Sequence, residues 1–293
     1  MLRPALVLML ATTACVSDYH ISKPPPASPL VPGNIDVFPP AVTADEPEPD
    51  APAPVEDTGE VPPEEEPAPA PVYAHTTNEL FEVDPVTGHS LSLGTFHDGP
   101  TPIRGVIDLA IDMNGRLFAG TRGGDDDQPR AIYRVSPYNA SLQHICDTDA
   151  AMFALTFLPD GRLVAGSEGL LVVIDVDHDC ATSVLLHHPT WITSGDIVAL
   201  PDGLIYWTLR RQGEPDALAV FDPRTNLYGT RGVIGYDRLF GLAYDDDTQA
   251  LYGFSGDGEI VEIRPSDAHS VLLNDSAKAW WGAATNPAQW QQP

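Results

Sequence analysis

The residues of this chain best placed by type and spacing to do chemistry are two carboxylates. Asp108 and Asp196 each stand second in an apolar segment, IDLAID (107–112) and GDIVAL (195–200). Three further segments of the same kind, FALTFL (153–158), FGLAYD (240–245) and WGAATN (281–286), carry Ala154, Gly241 and Gly282 at that place. Acids at equivalent positions of a repeated element meet at one end of it, where they could hold a divalent metal, calcium above all, or orient a polar ligand. The competing reading pairs each carboxylate with an arginine or a backbone amide. Arg104, Trp191 and Arg238 lie in the stretches leading into these segments and complete the candidate ligand set.

Other chemistry finds less support. The acidic turns DMNG, LPDG and SGDG place Asp, Asn and Gly where a hairpin needs them for its dihedrals. Asp175, Asp177 and Asp179 imitate the opening of an EF-hand loop, but the sixth position is not glycine and the twelfth is Leu186. Asp125, Asp126 and Asp127 read as a solvated loop, with weak divalent binding as the alternative. No nucleophile elbow, phosphate loop or paired C-x-x-C occurs, and the histidines form no helical metal pair. No catalytic residue is nominated. Cys146 and Cys180 are the only cysteines after residue 15. They fall in or beside the fourth strands of neighbouring repeats, so an inter-blade disulfide and two buried free thiols are both open. Trp280, Trp281 and Trp290 cluster near the end of the chain, as core filling or as a sugar platform.

The elements that must position these residues are strands. Residues 152–188 read as four short apolar and β-branched runs between Pro-Asp-Gly, Glu-Gly and Asp/His/Asp punctuation, too short for helices. Four antiparallel strands in about 40 residues make a propeller blade. Second strands (RLFAGT, RLVAGS, LIYWTL, ALYGFS) and third strands (AIYRVS, LLVVIDV, ALAVFD, EIVEIR) follow the innermost candidates, and the turn glycines Gly115, Gly161 and Gly203 are 46 and 42 residues apart. The segment from residue 73 starts with a second, a third and a fourth strand, and the chain finishes on a first strand. Joined, they make a fifth blade with both termini in one sheet. The expectation is an all-β, five-bladed β-propeller over 73–293, with six blades as the alternative count. Ring closure is expected to remove open sheet edges. The small fourth positions Ala110, Thr156, Val198, Ala243 and Ala284 are expected to line a narrow axis, with Leu109, Leu155, Ile197 and Leu242 pointing between blades.

Composition separates this domain from what precedes it. Residues 16–72 hold 12 acids and one base, and residues 73–293 hold 30 acids and 13 bases, within a formal charge of −27. Neither part is built to attract phosphate backbones, which argues against a nucleic-acid partner. Residues 15–72 are rich in Pro, Glu and Ala and read as a disordered tether that could reach on the order of 100–150 Å if extended. Residues 1–14 have one base, a short apolar run and then small residues, which is an export signal too short to span a membrane.

Thr12-Thr13-Ala14-Cys15 resembles the lipobox of bacterial lipoproteins, matching at Ala14 and Cys15. The resemblance implies cleavage before Cys15, lipidation of that cysteine and export, with anchoring in the outer membrane. LFEVDPVTG, AVFDPRTN, YRVSPYNA and FGLAYDDDTQALYGFSGDGEIVEI resemble the repeats of bacterial YVTN, NHL and PQQ-like propellers over residues 72–288. That resemblance speaks to fold, because propellers host unrelated functions. The leading expectation is a non-enzymatic binding module that needs no cofactor and contacts protein or glycan at the cell envelope. The first alternative resembles the SMP-30 lactonases, whose metal is held by Glu, Asn and Asp. Only Asp196 can be nominated here. The second alternative is a purely structural envelope protein.

Overall fold

Each segment of the IDLAID type becomes an innermost strand, and the three runs after it fold outward from it as one antiparallel sheet. The computed structural model describes residues 72–123 and 129–285, and these contain strands and turns but no helix. The signal stretch, Cys15, the tether, Asp125–Asp127 and Trp290 lie outside the described residues.

In chain order, β1 (Val72–His75), β2 (Glu79–Val83) and β3 (Ser90–Thr95) are followed by a small hairpin of β4 (His97–Asp98) and β5 (Thr101–Pro102). The next blade is β6 (Val106–Ile111), β7 (Leu117–Arg122), β8 (Arg130–Val135) and β9 (Leu142–Asp147). After it come β10 (Ala154–Phe157), β11 (Leu163–Ser167), β12 (Leu170–Asp175) and β13 (Ala181–His187). The fourth is β14 (Thr193–Ala199), β15 (Ile205–Arg211), β16 (Glu214–Asp222) and β17 (Leu227–Val233). The fifth is β18 (Leu239–Asp245), β19 (Ala250–Ser255), β20 (Glu259–Ile263) and β21 (Ser270–Asp275), and β22 (Gly282–Ala284) ends the ring. β22 pairs with β1, Ala74 opposite Ala283 and His75 opposite Gly282, giving a sheet of order β22-β1-β2-β3. The ring has five blades, closed by one C-terminal and three N-terminal strands.

Turns are set by the punctuation residues. Gly115, Gly161 and Gly203 all have φ between +75° and +89°, the left-handed region that a side chain disfavours. Asp112, Asp202, Asp222 and Asp245 accept amides of their own turns, as in Asn114 N to Asp112 Oδ1 at 3.0 Å and Leu204 N to Asp202 Oδ1 at 2.9 Å.

The core consists of five apolar clusters, one between each pair of adjacent blades. Leu109, Leu155, Ile197, Leu242 and Ala283 face the preceding blade, while Ala110, Val198, Ala243 and Ala284 face the following one. Ala110, Thr156, Val198 and Ala284 border the narrow axial cavity, as expected of the small fourth positions, and the apolar contacts of Ala110, Val198, Ala243 and Ala284 with the following blade are what the sequence did not show. An inner strand turns its two faces to its two neighbouring blades, so the axis is lined by strand edges, and size there is limited by the adjoining blade. The axial cavity measures only about 20 Å³, room for about one water.

Sheet edges depart from expectation. Closing the ring leaves β3, β9, β13, β17 and β21 each at the outside of its sheet. All five pair with their third strands through a bulge at one equivalent place, which skips Leu93, Ile145, Leu185, Arg231 and Leu273. Four of these are apolar and pack onto inter-blade clusters. Arg231 instead hydrogen-bonds Tyr206. A bulge twists and interrupts an edge that would otherwise template further pairing.

Cys146 of β9 and Cys180, just before β13, are joined as a disulfide with a Cα–Cα distance of 5.8 Å. The bond staples neighbouring blades at the cluster to which both residues belong.

Candidate functional site at the mouth of the ring

The innermost strands all start at one end of the ring, and their first and second positions build its mouth. The first positions are Ile107, Phe153, Gly195, Phe240 and Trp281. Ile107 is buried, but Phe153 is 44% exposed and Trp281 38% exposed, and Phe240 is half-buried. The Phe240 and Trp281 rings lie 5.8 Å apart at 39°. Arg238, exposed and at φ +56°, holds its guanidinium 5.6 Å from the Phe240 centroid and pairs with Asp257. Cation–π contact and the ion pair together fix that side chain beside the aromatics. Arg104 is exposed on the stretch leading into β6.

Immediately below, Asp108 and Asp196 are fully buried. Asp108 Oδ2 accepts the Leu155 amide at 2.6 Å, reaching from β6 to β10. Asp196 Oδ1 accepts the Ile197 amide at 2.6 Å, and Oδ2 accepts the Leu242 amide of β18. The Ala283 amide of β22 also serves Asp196. Thr156 Oγ1 on the Ala199 amide, at 2.9 Å, and Thr285 Oγ1 on the Tyr244 amide continue the same stitching lower down. These are the innermost-strand edges tied together by side chains, since strands around an axis cannot pair directly across blades.

The two carboxyl groups come from non-adjacent blades, and they lie within hydrogen-bonding reach of each other. Burial, then the neighbouring Asp196 charge, pushes Asp108 well above the usual carboxylate range. Burial pushes Asp196 up as well, against the amides that stabilise its charged form. His75 of β1 completes the group. Its Nδ1 lies 2.7 Å from the Thr76 carbonyl oxygen, and burial lowers its pKa to about 4. His75 Nε2 and Asp108 Oδ1 crowd around Gly282 so closely that a Cβ on that glycine would collide with both.

The structure therefore brings Asp108 and Asp196 together and places Phe153, Phe240, Trp281 and Arg238 above them. Trp191 sits elsewhere. It stacks on His188 at 4.3 Å, meets Tyr228 and Trp207 edge-on, and borders a groove of about 410 Å³ with Arg210 and Val233. Trp280 is core, edge-on to Phe81 and Phe254, while its neighbour Trp281 is surface. Sequence reasoning passed over His75, Phe153 and Phe240. The last two were legible as aromatics at the first position of aligned strands, whereas nothing local marks His75. Among the described residues no group of three His, Cys, Asp or Glu side chains is placed to hold a metal ion.

No family model matches this chain, and no curated protein matches it. Solved structures resemble it at low identity. A chain of a nidogen/laminin complex is 12% identical with a TM-score of 0.49, over 73% of this chain and 97% of that one. TolB from Acinetobacter baumannii is 13% identical with a TM-score of 0.46, over 73% of this chain and 56% of that one. U3-55K is 14% identical with a TM-score of 0.43, over 69% of this chain and 59% of that one. At such identities the likeness concerns fold alone.

Proposed function

We propose that this protein is an exported, lipid-anchored propeller that acts as a binding module at the cell envelope, without an enzymatic centre in its ring. The observation that carries the reading is the contrast at the mouth. Below it, Asp108 and Asp196 are buried, with three of their four carboxyl oxygens on neighbouring amides, over an axial cavity of about 20 Å³. Above it, Phe153 and Trp281 stay exposed, and Arg238 stands over Phe240, the ring next to Trp281. Exposed aromatics with an arginine among them are the composition of interface anchor residues. A face of this kind can dock a protein, and a glycan is the alternative ligand. The lactonase-like alternative asks Asp196 for an open coordination position, and amides occupy both of its oxygens. Cys15 supplies the anchor and residues 16–72 the spacing from the membrane.

The test is photo-crosslinking in cells from an unnatural residue at position 153 or 281 of the full chain. Discrete adducts are expected from both sites and none from position 247 at the opposite end of the ring. Equal labelling from both ends, or none from either together with silence on a glycan array, would overturn a mouth-face binding module. Cys15→Ser is expected to abolish incorporation of labelled palmitate and release the protein from the membrane fraction.

A further inference from the structure

Three acceptor groups meet where the ring closes, and among the described residues no N–H or O–H donor stands between them. Asp108 Oδ1 is buried with no protein donor, His75 Nε2 is buried likewise, and the Asp196 carboxylate lies within hydrogen-bonding reach of Asp108. His75 Nδ1 faces the Thr76 carbonyl, so the ring's other nitrogen is the one turned to the centre. Two carboxylates cannot hydrogen-bond without a proton, and lone pairs left facing each other in a site of 0% exposure are strongly unfavourable.

We propose that Asp108 Oδ1 holds a resident proton, donated to Asp196, and that this proton fastens the closing strands β1 and β22 into the ring. Asp108 is the member that can carry it. The Leu155 and Leu109 amides serve its carboxyl, whereas Asp196 accepts three amides, from Ile197, Leu242 and Ala283, through both of its oxygens, which favours a charged Asp196. The group joins all five blades. Asp108 belongs to β6 and contacts β10, Asp196 belongs to β14 and contacts β18 and β22, and His75 belongs to β1. No other ionisable group faces it, because β10, β18 and β22 carry Ala154, Gly241 and Gly282 at the same position. Asp216 of β16 is the next buried carboxyl, and it is occupied by Ser194 and the Leu239 amide. Burial and Asp196 raise Asp108 above its ordinary value, so the proton stays bound into a range where an unfolded chain has lost it. With one proton bound only by the native state, the unfolding constant rises up to tenfold per pH unit, until the folded group itself titrates.

The proposal separates variants that a merely structural carboxylate would not. In Asp108→Asn, the side-chain oxygen can keep the Leu155 amide while the NH2 donates to Asp196 and faces His75. Urea unfolding of the full chain from pH 5 to 9 is expected to show the Asp108→Asn variant as stable as wild type near pH 7, without wild type's extra loss of stability toward alkaline pH. Asp108→Ala should be destabilised throughout. Asp196→Asn should be destabilised too, because an amide group would then face backbone N–H donors. A carbonyl band of a protonated carboxylic acid in the infrared spectrum at pH 7, absent from Asp108→Asn, reads the proton directly. Equal destabilisation by Asp108→Asn and Asp108→Ala, or the lack of that band, would overturn the proposal. So would a shift on adding calcium or chelator, since a cation would then hold the three acceptors together. The mouth-face crosslinks fail or succeed independently, because they need only the exposed aromatics.

Discussion

His75 shows how much one buried side chain can set the pH response of this ring. Burial lowers its pKa from the ordinary 6.5 to about 4, and the Thr76 and Ile107 carbonyls only partly oppose that. A depressed histidine contributes stability that is fully present above pH 6.5 and lost as pH falls through 4. The full contribution is about 3 kcal/mol. The Asp108 proton acts with the opposite sign, since a raised carboxyl favours the fold most at low pH. Between about pH 4 and 6.5 the two slopes offset each other, and above 6.5 the Asp108 slope stands alone. The urea midpoint of His75→Gln minus that of wild type should therefore grow as pH falls from 6.5 to 4; a difference independent of pH would contradict the assignment. Adjacent tryptophans give a second residue-level contrast. Trp280 is wholly enclosed between Phe81 and Phe254, so Trp280→Ala should cost about 3–5 kcal/mol. Trp281 is 38% exposed, and Trp281→Ser should leave stability within about 1 kcal/mol while weakening mouth-face binding. Paired urea melts check both.

At the scale of elements, blades are separate sheets, so what joins them matters more than what pairs within them. The Cys146–Cys180 bond spans 34 residues and links two blades covalently. Closing a loop of that size in the unfolded chain corresponds to roughly 3–4 kcal/mol. Urea melts with and without reductant should differ by about that amount, and coincident melts would mean that the unfolded chain is not constrained as this reasoning assumes. The repeated outer bulge works in the same direction. By turning Leu93, Ile145, Leu185 and Leu273 onto inter-blade clusters, it seals four of the five clefts with a residue that strict alternation would send to solvent.

The molecule as a whole depends on three residues of β22. Gly282, Ala283 and Ala284 supply the innermost strand of the closing blade, and Asp196 and Asp108 both meet that strand. Ending the chain before residue 280 removes this strand together with Trp280 and leaves β1 as an open inner edge. The truncated chain is expected to lose cooperative unfolding and to associate, read by light scattering and by a flattened urea transition. A sharp, monomeric transition would mean that four blades suffice.

Much of this was written in local sequence. Runs of four to seven apolar residues between Asp, Gly and Pro determined the strands, the 46- and 42-residue spacing of the turn glycines determined the repeat, and the unmatched strands at the two ends determined how the ring closes. These are short-range properties, because strand length and turn dihedrals depend on neighbours in the chain. The second-position carboxylates were visible for the same reason, as departures from a repeat. Their surroundings were not. That Asp108 meets Asp196 from a non-adjacent blade, and that His75 joins them from the first strand of the ring, depends on the radius of a closed ring. That radius is a property of five packed interfaces together. Only the tertiary structure could separate Trp281 from Trp280 and draw Trp191 away from the mouth. It alone turned the small fourth positions toward the next blade, because which face a side chain buries is decided by the neighbour that arrives.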